Sequence, residues 1–220
     1  MKILTVIGAR PQFIKSAPLS HLLKKKHDLF QEVVVHTGQH FDDNMSNIFF
    51  KEFDLEKPKY NLSISDLNHG AMTGRMIEMI ESIVLQENPD YVLVYGDTNS
   101  TLAAAIAAVK IGVKIVHIEA GLRSFNMNMP EEINRILVDR VSDVLFCPSE
   151  LSKNNLATEN ITKNVHVVGD IMRDCINLYS QKFNKDLYKS FKAKKGEYFL
   201  ATLHRAENTD CKNKLEKILT

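Results

Sequence analysis

Short apolar runs rich in β-branched residues alternate along the chain with longer stretches in which apolar residues recur at helical spacing, a pattern that predicts repeated β-α-β units. The segments Lys2–Ile7, Glu32–Thr37, Tyr91–Tyr95, Val113–Ile118, Asp143–Cys147 and Asn164–Val168 read as strands. Most are apolar nearly throughout, as strands covered on both faces are. The expected fold class is therefore α/β, a parallel sheet with helices on both faces. Helices are expected at about Phe13–Lys26, Met45–Glu52, His69–Gln86, Thr101–Ile111, Glu131–Val141 and Glu150–Thr158. Pro11, Pro89 and Pro130 mark boundaries, and Asn99 or Ser100 is placed to cap the alanine-rich helix that begins near Thr101. From Ile171 the pattern loosens into a stretch rich in Lys, Asp and aromatic residues, before Tyr198–Leu203 reads as a fresh buried strand. The expected division is a first domain over 1–170, a linker over 171–197 and the start of a second domain over 198–220.

Composition narrows the picture without changing it. With 44% hydrophobic and 25% charged residues the chain has an ordinary globular balance, far from the composition of disordered segments. Its 28 basic and 27 acidic residues leave a net charge of +1, so no overall field favours nucleic acid as a partner. Cys147, Cys175 and Cys211 are an odd count without CxxC spacing, which fits reduced thiols in the cytoplasm better than disulfides or zinc. The apolar run Ile3–Ile7 is too short for a signal or membrane segment and reads as a first strand, so no membrane partner is expected.

In an open parallel sheet, ligands sit beyond the carboxyl ends of the strands. The residues directly after the expected strands are Gly8-Ala9-Arg10-Pro11, Gly38-Gln39-His40, Gly96-Asp97-Thr98 and Glu119-Ala120-Gly121-Leu122-Arg123, each combining glycine with polar side chains. Asp97 has a capping alternative, since a small-residue helix follows it. Glu119 has none, because no helix starts at once. Glu131 and Glu132 open a helix after Pro130, where the helix dipole stabilises carboxylates, and Glu131 stands four residues before Arg135, the spacing of an ordinary helical ion pair. Arg10 and Lys15 lie near the start of the first helix, where backbone N–H groups already favour anions. A cleft mixing both signs suits a phosphorylated substrate that undergoes proton transfer. His204-Arg205 follows the expected second-domain strand, the counterpart of Arg10's position in the first domain. His117, inside a strand, reads as a satisfied core histidine, and His36 and His40 lack the spacing of a metal site. The first turn is not GxGxxG, so no dinucleotide cofactor is indicated.

Taken together, GARPQFIK at Gly8–Lys15, HTGQHFDDNM at His36–Met45, YGDTNSTLAAA at Tyr95–Ala105, HIEAGLRS at His117–Ser124, MPEEINR at Met129–Arg135, GDIMRD at Gly169–Asp174 and LHRAEN at Leu203–Asn208 resemble, in order, the non-hydrolysing UDP-N-acetylglucosamine 2-epimerases. The resemblance implies two Rossmann-like domains of the glycosyltransferase-B architecture, of which this chain carries the first and the start of the second. It implies Asp97, Glu119, Glu131 and His204 as catalytic candidates, and Arg10, Lys15, Arg135 and Arg205 on the substrate's phosphate side. The implied reaction inverts C2 of a UDP-2-acetamido sugar by eliminating UDP to a 2-acetamidoglucal and adding it back, with no redox cofactor and no metal. A homodimer is also implied, with Gln39 and His40 placed where a second, allosteric nucleotide could touch. The short stretch between Arg123 and Pro130 resembles the branch acting on modified UDP-sugars such as diacetamido-uronates. Since the family continues well beyond the position of His204 through its uridine-binding domain, this polypeptide is expected to bind UDP poorly and turn over little. A hydrolysing epimerase, a transferase of the same architecture and a non-catalytic binding domain are the competing readings.

Overall fold

The structure, a computed structural model, describes residues 1–38, 52–180, 186–203, 206–209 and 211–219. The chain forms two compact units, 1–180 and 181–220. In the first, the elements run β1 (Lys2–Ile7), α1 (Arg10–Lys25), β2 (Gln31–His36), β3 (Tyr60–Asn61), α2 (His69–Glu87), β4 (Tyr91–Tyr95), α3 (Asn99–Lys110), β5 (Lys114–Ile118), α4 (Pro130–Val141), β6 (Val144–Cys147), α5 (Glu150–Thr158), β7 (Val165–Val167) and α6 (Ile171–Tyr179). All seven strands are parallel, in the order β3-β2-β1-β4-β5-β6-β7. This is the Rossmann-like α/β fold expected. The chain's direction of travel across the sheet reverses between β1 and β4, which opens a crevice at their carboxyl ends.

The two-residue period of the strands separates two apolar layers. Leu4, Val6, Val92, Val94 and Ile115 pack with α2, α3 and α4 on one face, while Ile7, Leu93, Tyr95 and Ile118 pack with Phe13 of α1 on the other. Five alanines of α3 (Ala103, Ala104, Ala105, Ala107 and Ala108) are wholly buried, so small side chains let this helix lie close to the sheet between its neighbours. Its cap is Thr98, whose hydroxyl accepts from the Thr101 N–H at 3.3 Å, rather than Asn99 or Ser100. Those two side chains point inward instead: Ser100 meets the Thr37 hydroxyl at 2.8 Å, and Asn99 reaches His69.

The short edge strand β3 has no sequence signature, being only two residues long; it is held by tertiary contacts. The buried carboxylate of Glu87, at the end of α2, takes Lys2 and Lys59 at 2.6 Å each and the Tyr60 hydroxyl. These hydrogen bonds, Lys2's first, hold its pKa down to about 2. Helix α6 falls in the stretch read as linker, yet it packs on α1: the Cys175 thiol lies 2.8 Å from the Ile14 carbonyl, and the Tyr179 hydroxyl donates to Phe53 O at 2.7 Å.

In the second unit, the described residues comprise a 3₁₀ turn at Leu187–Phe191, α7 (Ala206–Thr209) and α8 (Lys212–Leu219), with no strand. The strand expected at Tyr198–Leu203 is absent, and Phe199 and Leu200 are exposed. A strand interior to a sheet requires neighbours for its backbone groups, and the described residues of this unit supply none. The helix expected at Met45–Glu52 lies almost wholly outside the described residues.

Candidate active site

The carboxyl ends of β1 and β4 are drawn together by a buried amide. Gln12, 2% exposed, accepts from the N–H groups of Gly8 (2.8 Å) and Ala9 (3.0 Å) and donates to Tyr95 O (2.9 Å) and the Thr101 hydroxyl (3.0 Å). All four bonding positions of the side chain are filled, so the turn after β1 is clamped to the turn after β4. Gly8 is required by close approach, since a Cβ there would lie 2.1 Å from both the Ser100 and Thr37 hydroxyl oxygens.

On this clamp sit two ion pairs. Arg135 of α4 donates from Nε (2.9 Å) and Nη2 (2.6 Å) to Asp97 Oδ2, while Asn134 of the same helix donates to the Asp97 carbonyl at 2.8 Å. Lys15 of α1 meets Glu119 Oε2 at 2.5 Å, with the Glu119 side chain only 11% exposed. The two pairs are neighbours: a Cβ on Gly96, which has φ of +61°, would come within 3.3 Å of Glu119 Oε2 and 3.7 Å of Lys15 Nζ. Glu119 itself has φ of +73°, a conformation disfavoured by about 1–2 kcal/mol for a residue with a Cβ. It is retained because the N–H groups of Glu119 and Ala120 both donate to Phe146 O of β6, at 3.1 and 3.0 Å.

The sequence pairing of Glu131 with Arg135 is corrected by the structure. Arg135 turns to Asp97 and to Glu132, whose Oε2 accepts from Nη1 at 2.7 Å. Glu132, 1% exposed, also accepts from the Ser124 and Phe125 N–H groups at 2.8–3.0 Å. Those backbone donors draw Glu132 inward, and the guanidinium follows the buried carboxylate rather than the exposed one. Burial raises the Glu132 pKa, but the backbone N–H groups and Arg135 outweigh it and bring it to about 2. Glu131 stands exposed in the first turn of α4, and Arg10 stands exposed at the first residue of α1, both at the strand-end side of the sheet. Asp97, Glu119, Lys15 and Arg135 are thus brought together directly. Gln39, His40, His204 and Arg205 lie outside the described residues. Sequence reading missed Glu132 as the anchor of Arg135; its only signal was the i,i+3 spacing, which competes with the i,i+4 spacing of Glu131.

Paired carboxylates and cations thus line the carboxyl ends of an open parallel α/β sheet, the edge at which sheets of this class bind their ligands. A sequence profile described as UDP-N-acetylglucosamine 2-epimerase matches residues 23–220. The chain is 50% identical to a UDP-N-acetylglucosamine 2-epimerase homolog of Methanococcus maripaludis, covering all of this chain and 61% of that protein. It is 53% identical to a UDP-2,3-diacetamido-2,3-dideoxy-D-glucuronate 2-epimerase of Pseudomonas aeruginosa, covering all of this chain and 62% of that one. The crystal structure of the Methanocaldococcus jannaschii UDP-GlcNAc 2-epimerase, in complex with UDP-GlcNAc and UDP, superposes with a TM-score of 0.89 at 45% identity, over all of this chain and 61% of that chain. The chain belongs to the UDP-N-acetylglucosamine 2-epimerase family and spans about three fifths of the length of these relatives.

Proposed function

We propose that this chain is the acid–base half of a non-hydrolysing epimerase that inverts C2 of a UDP-2-acetamido sugar. The observation that carries the reading is the pair of carboxylates, Asp97 and Glu119, on adjacent strand ends, each held by its own cation on either side of Gly96. One carboxylate removes the C2 proton as the C1–O bond to UDP breaks, leaving a 2-acetamidoglucal. UDP then adds back at C1 while C2 is reprotonated on the opposite face. Proton removal and return on two faces need two acid–base groups, for which Asp97, Glu119 and Glu131 are the candidates, and the departing diphosphate needs positive charge, which Arg10, Lys15 and Arg135 supply. The ion pairs keep both carboxylates aimed until substrate competes for their cations.

The substrate class is a UDP-2-acetamido sugar, with diacetamido-uronates favoured by the 53% identity to the Pseudomonas aeruginosa relative. A homodimer and a second nucleotide site at Gln39 and His40 complete the reading, on family likeness. The test uses a chain whose second domain is completed with the corresponding part of the Methanocaldococcus jannaschii enzyme, incubated in D2O with UDP-GlcNAc and its diacetamido-uronate relative. Deuterium at C2 and the 2-epimer still linked to UDP are the expected products. Free UDP and free sugar as end products would indicate a hydrolysing enzyme, and sugar transfer without exchange at C2 a transferase.

A further inference from the structure

His117 lies in the middle of the acid-bearing edge but touches neither acid. Its ring is 1% exposed, with Nε2 at 2.8 Å from the Gly96 carbonyl and Nδ1 at 2.7 Å from Asp139 Oδ1. A carbonyl can only accept, and so can an ionised carboxylate. Asp139 is held ionised by its other partners: Oδ2 accepts from the Gly121 N–H at 3.0 Å and from Arg123 Nη1 at 2.7 Å. Arg123 in turn is gripped by Glu159 through Nε and Nη2, at 2.6 and 2.8 Å. A neutral imidazole has one N–H and would leave a lone pair facing an acceptor on one side or the other. Two donors are needed, so the ring must carry both protons.

We infer that His117 is a buried imidazolium that acts as a positioning residue, joining the Gly96-Asp97 turn to the Glu119-Ala120-Gly121 turn through the Gly96 carbonyl and Asp139. It rests on reading Asp97 and Glu119 as the acids of the site. The chain His117, Asp139, Arg123, Glu159 alternates in sign, so its buried charges are compensated within the cluster. The charged groups facing the ring are Asp139 from α4 and Glu119 from the end of β5, with Arg123 behind Asp139 and Lys15 behind Glu119. The strand neighbours in register are Val94 of β4 and Leu145 of β6, and α3 carries no ionisable residue before Lys110. Burial pushes the ring toward neutrality, but the Asp139 hydrogen bond and charge and the Gly96 carbonyl outweigh it, leaving its pKa above the ordinary histidine value. Deprotonation must therefore release either the Gly96 carbonyl or Asp139, and with it one of the two turns.

The test is nitrogen NMR of the whole chain with labelled histidine, followed from neutral to alkaline pH. Both His117 ring nitrogens are expected to be protonated at neutral pH and to lose a proton only on the alkaline side. The amide signals of Asp97, Glu119 and Gly121 are expected to move with the same midpoint. In His117→Gln, which keeps a donor of similar reach, that common midpoint disappears while the remaining amide spectrum persists. Should His117→Gln fail to fold, the wild-type titration still decides. A singly protonated ring at neutral pH, or a titration that leaves the three amides unmoved, overturns the proposal. No turnover is read, so the outcome is independent of whether C2 exchange is observed.

Discussion

Two adjacent glutamates at the start of α4 show how far residue type alone underdetermines role. Glu132 is buried and satisfied by two backbone N–H groups and Arg135, whereas Glu131 is exposed one position earlier. Removing the charge at Glu132 leaves buried donors unmatched and frees the guanidinium that aims Asp97. Glu132→Gln is expected to cost about 1–3 kcal/mol in urea unfolding, and Glu131→Gln less than about 0.5 kcal/mol. In the completed enzyme the order reverses for Glu131, whose substitution is expected to suppress C2 exchange without loss of stability. Because the folded pKa of Glu132 is depressed to about 2 from 4.5, its contribution is present above the ordinary carboxylate range and is lost as pH falls through that interval. An acid titration of wild type and Glu132→Gln should therefore converge at low pH; a constant gap between them would count against this role. For His117 the sign is opposite: with a raised folded pKa, its contribution is full below the ordinary histidine value and is lost as pH rises through the folded one.

At the scale of elements, the site depends on how closely α1, α3 and the sheet approach one another. The Gly8 turn meets the start of α3 with no room for a methyl group, and Gln12 bridges the same gap with four hydrogen bonds. Gly8→Ala is expected to lower stability by about 1–3 kcal/mol through overpacking. Gly74→Ala is the matched control: it lies within α2 with nothing within 4 Å of its added Cβ, and helix propensity predicts a gain of about 0.5–1 kcal/mol. Thermal melts of the two variants should move in opposite directions. The element pattern itself was legible in sequence because buried parallel strands are continuously apolar and the helices between them keep their period. Two elements escaped this reading. β3 is too short to show a period, and α6 carries its apolar face at helical spacing, Ile171, Cys175 and Tyr179 behind an Asp170 cap, but was absorbed into the linker-like composition of the residues that follow it.

For the whole molecule, the unit 1–180 has its own two-layer core, with α6 contributing Cys175 and Tyr179 to it. A chain cut after Ser180 is expected to melt cooperatively within about 2–4 °C of the full chain. A cut after Asp170 exposes the α1 surface that α6 covers, and is expected to melt lower by more than that range. Equal melting of the two shortened chains would show that α6 adds nothing to the core.

What the sequence determined by itself was the α/β class, nearly every strand and helix of the first unit, and the set of polar residues presented at the strand ends, because these follow from local periodicity and from the rule that parallel strands release their ligand-binding residues at one edge. It also carried the family, through the order of its motifs. Only the tertiary structure decided which charges pair: Lys15 with Glu119, Arg135 with Asp97 and Glu132, His117 with Asp139. These partners lie up to 104 positions apart in sequence, and their selection rests on burial and on backbone donors from neighbouring loops, neither of which any local pattern encodes. The same reason removed the strand at Tyr198–Leu203, where apolar residues without neighbouring strands have no sheet to join.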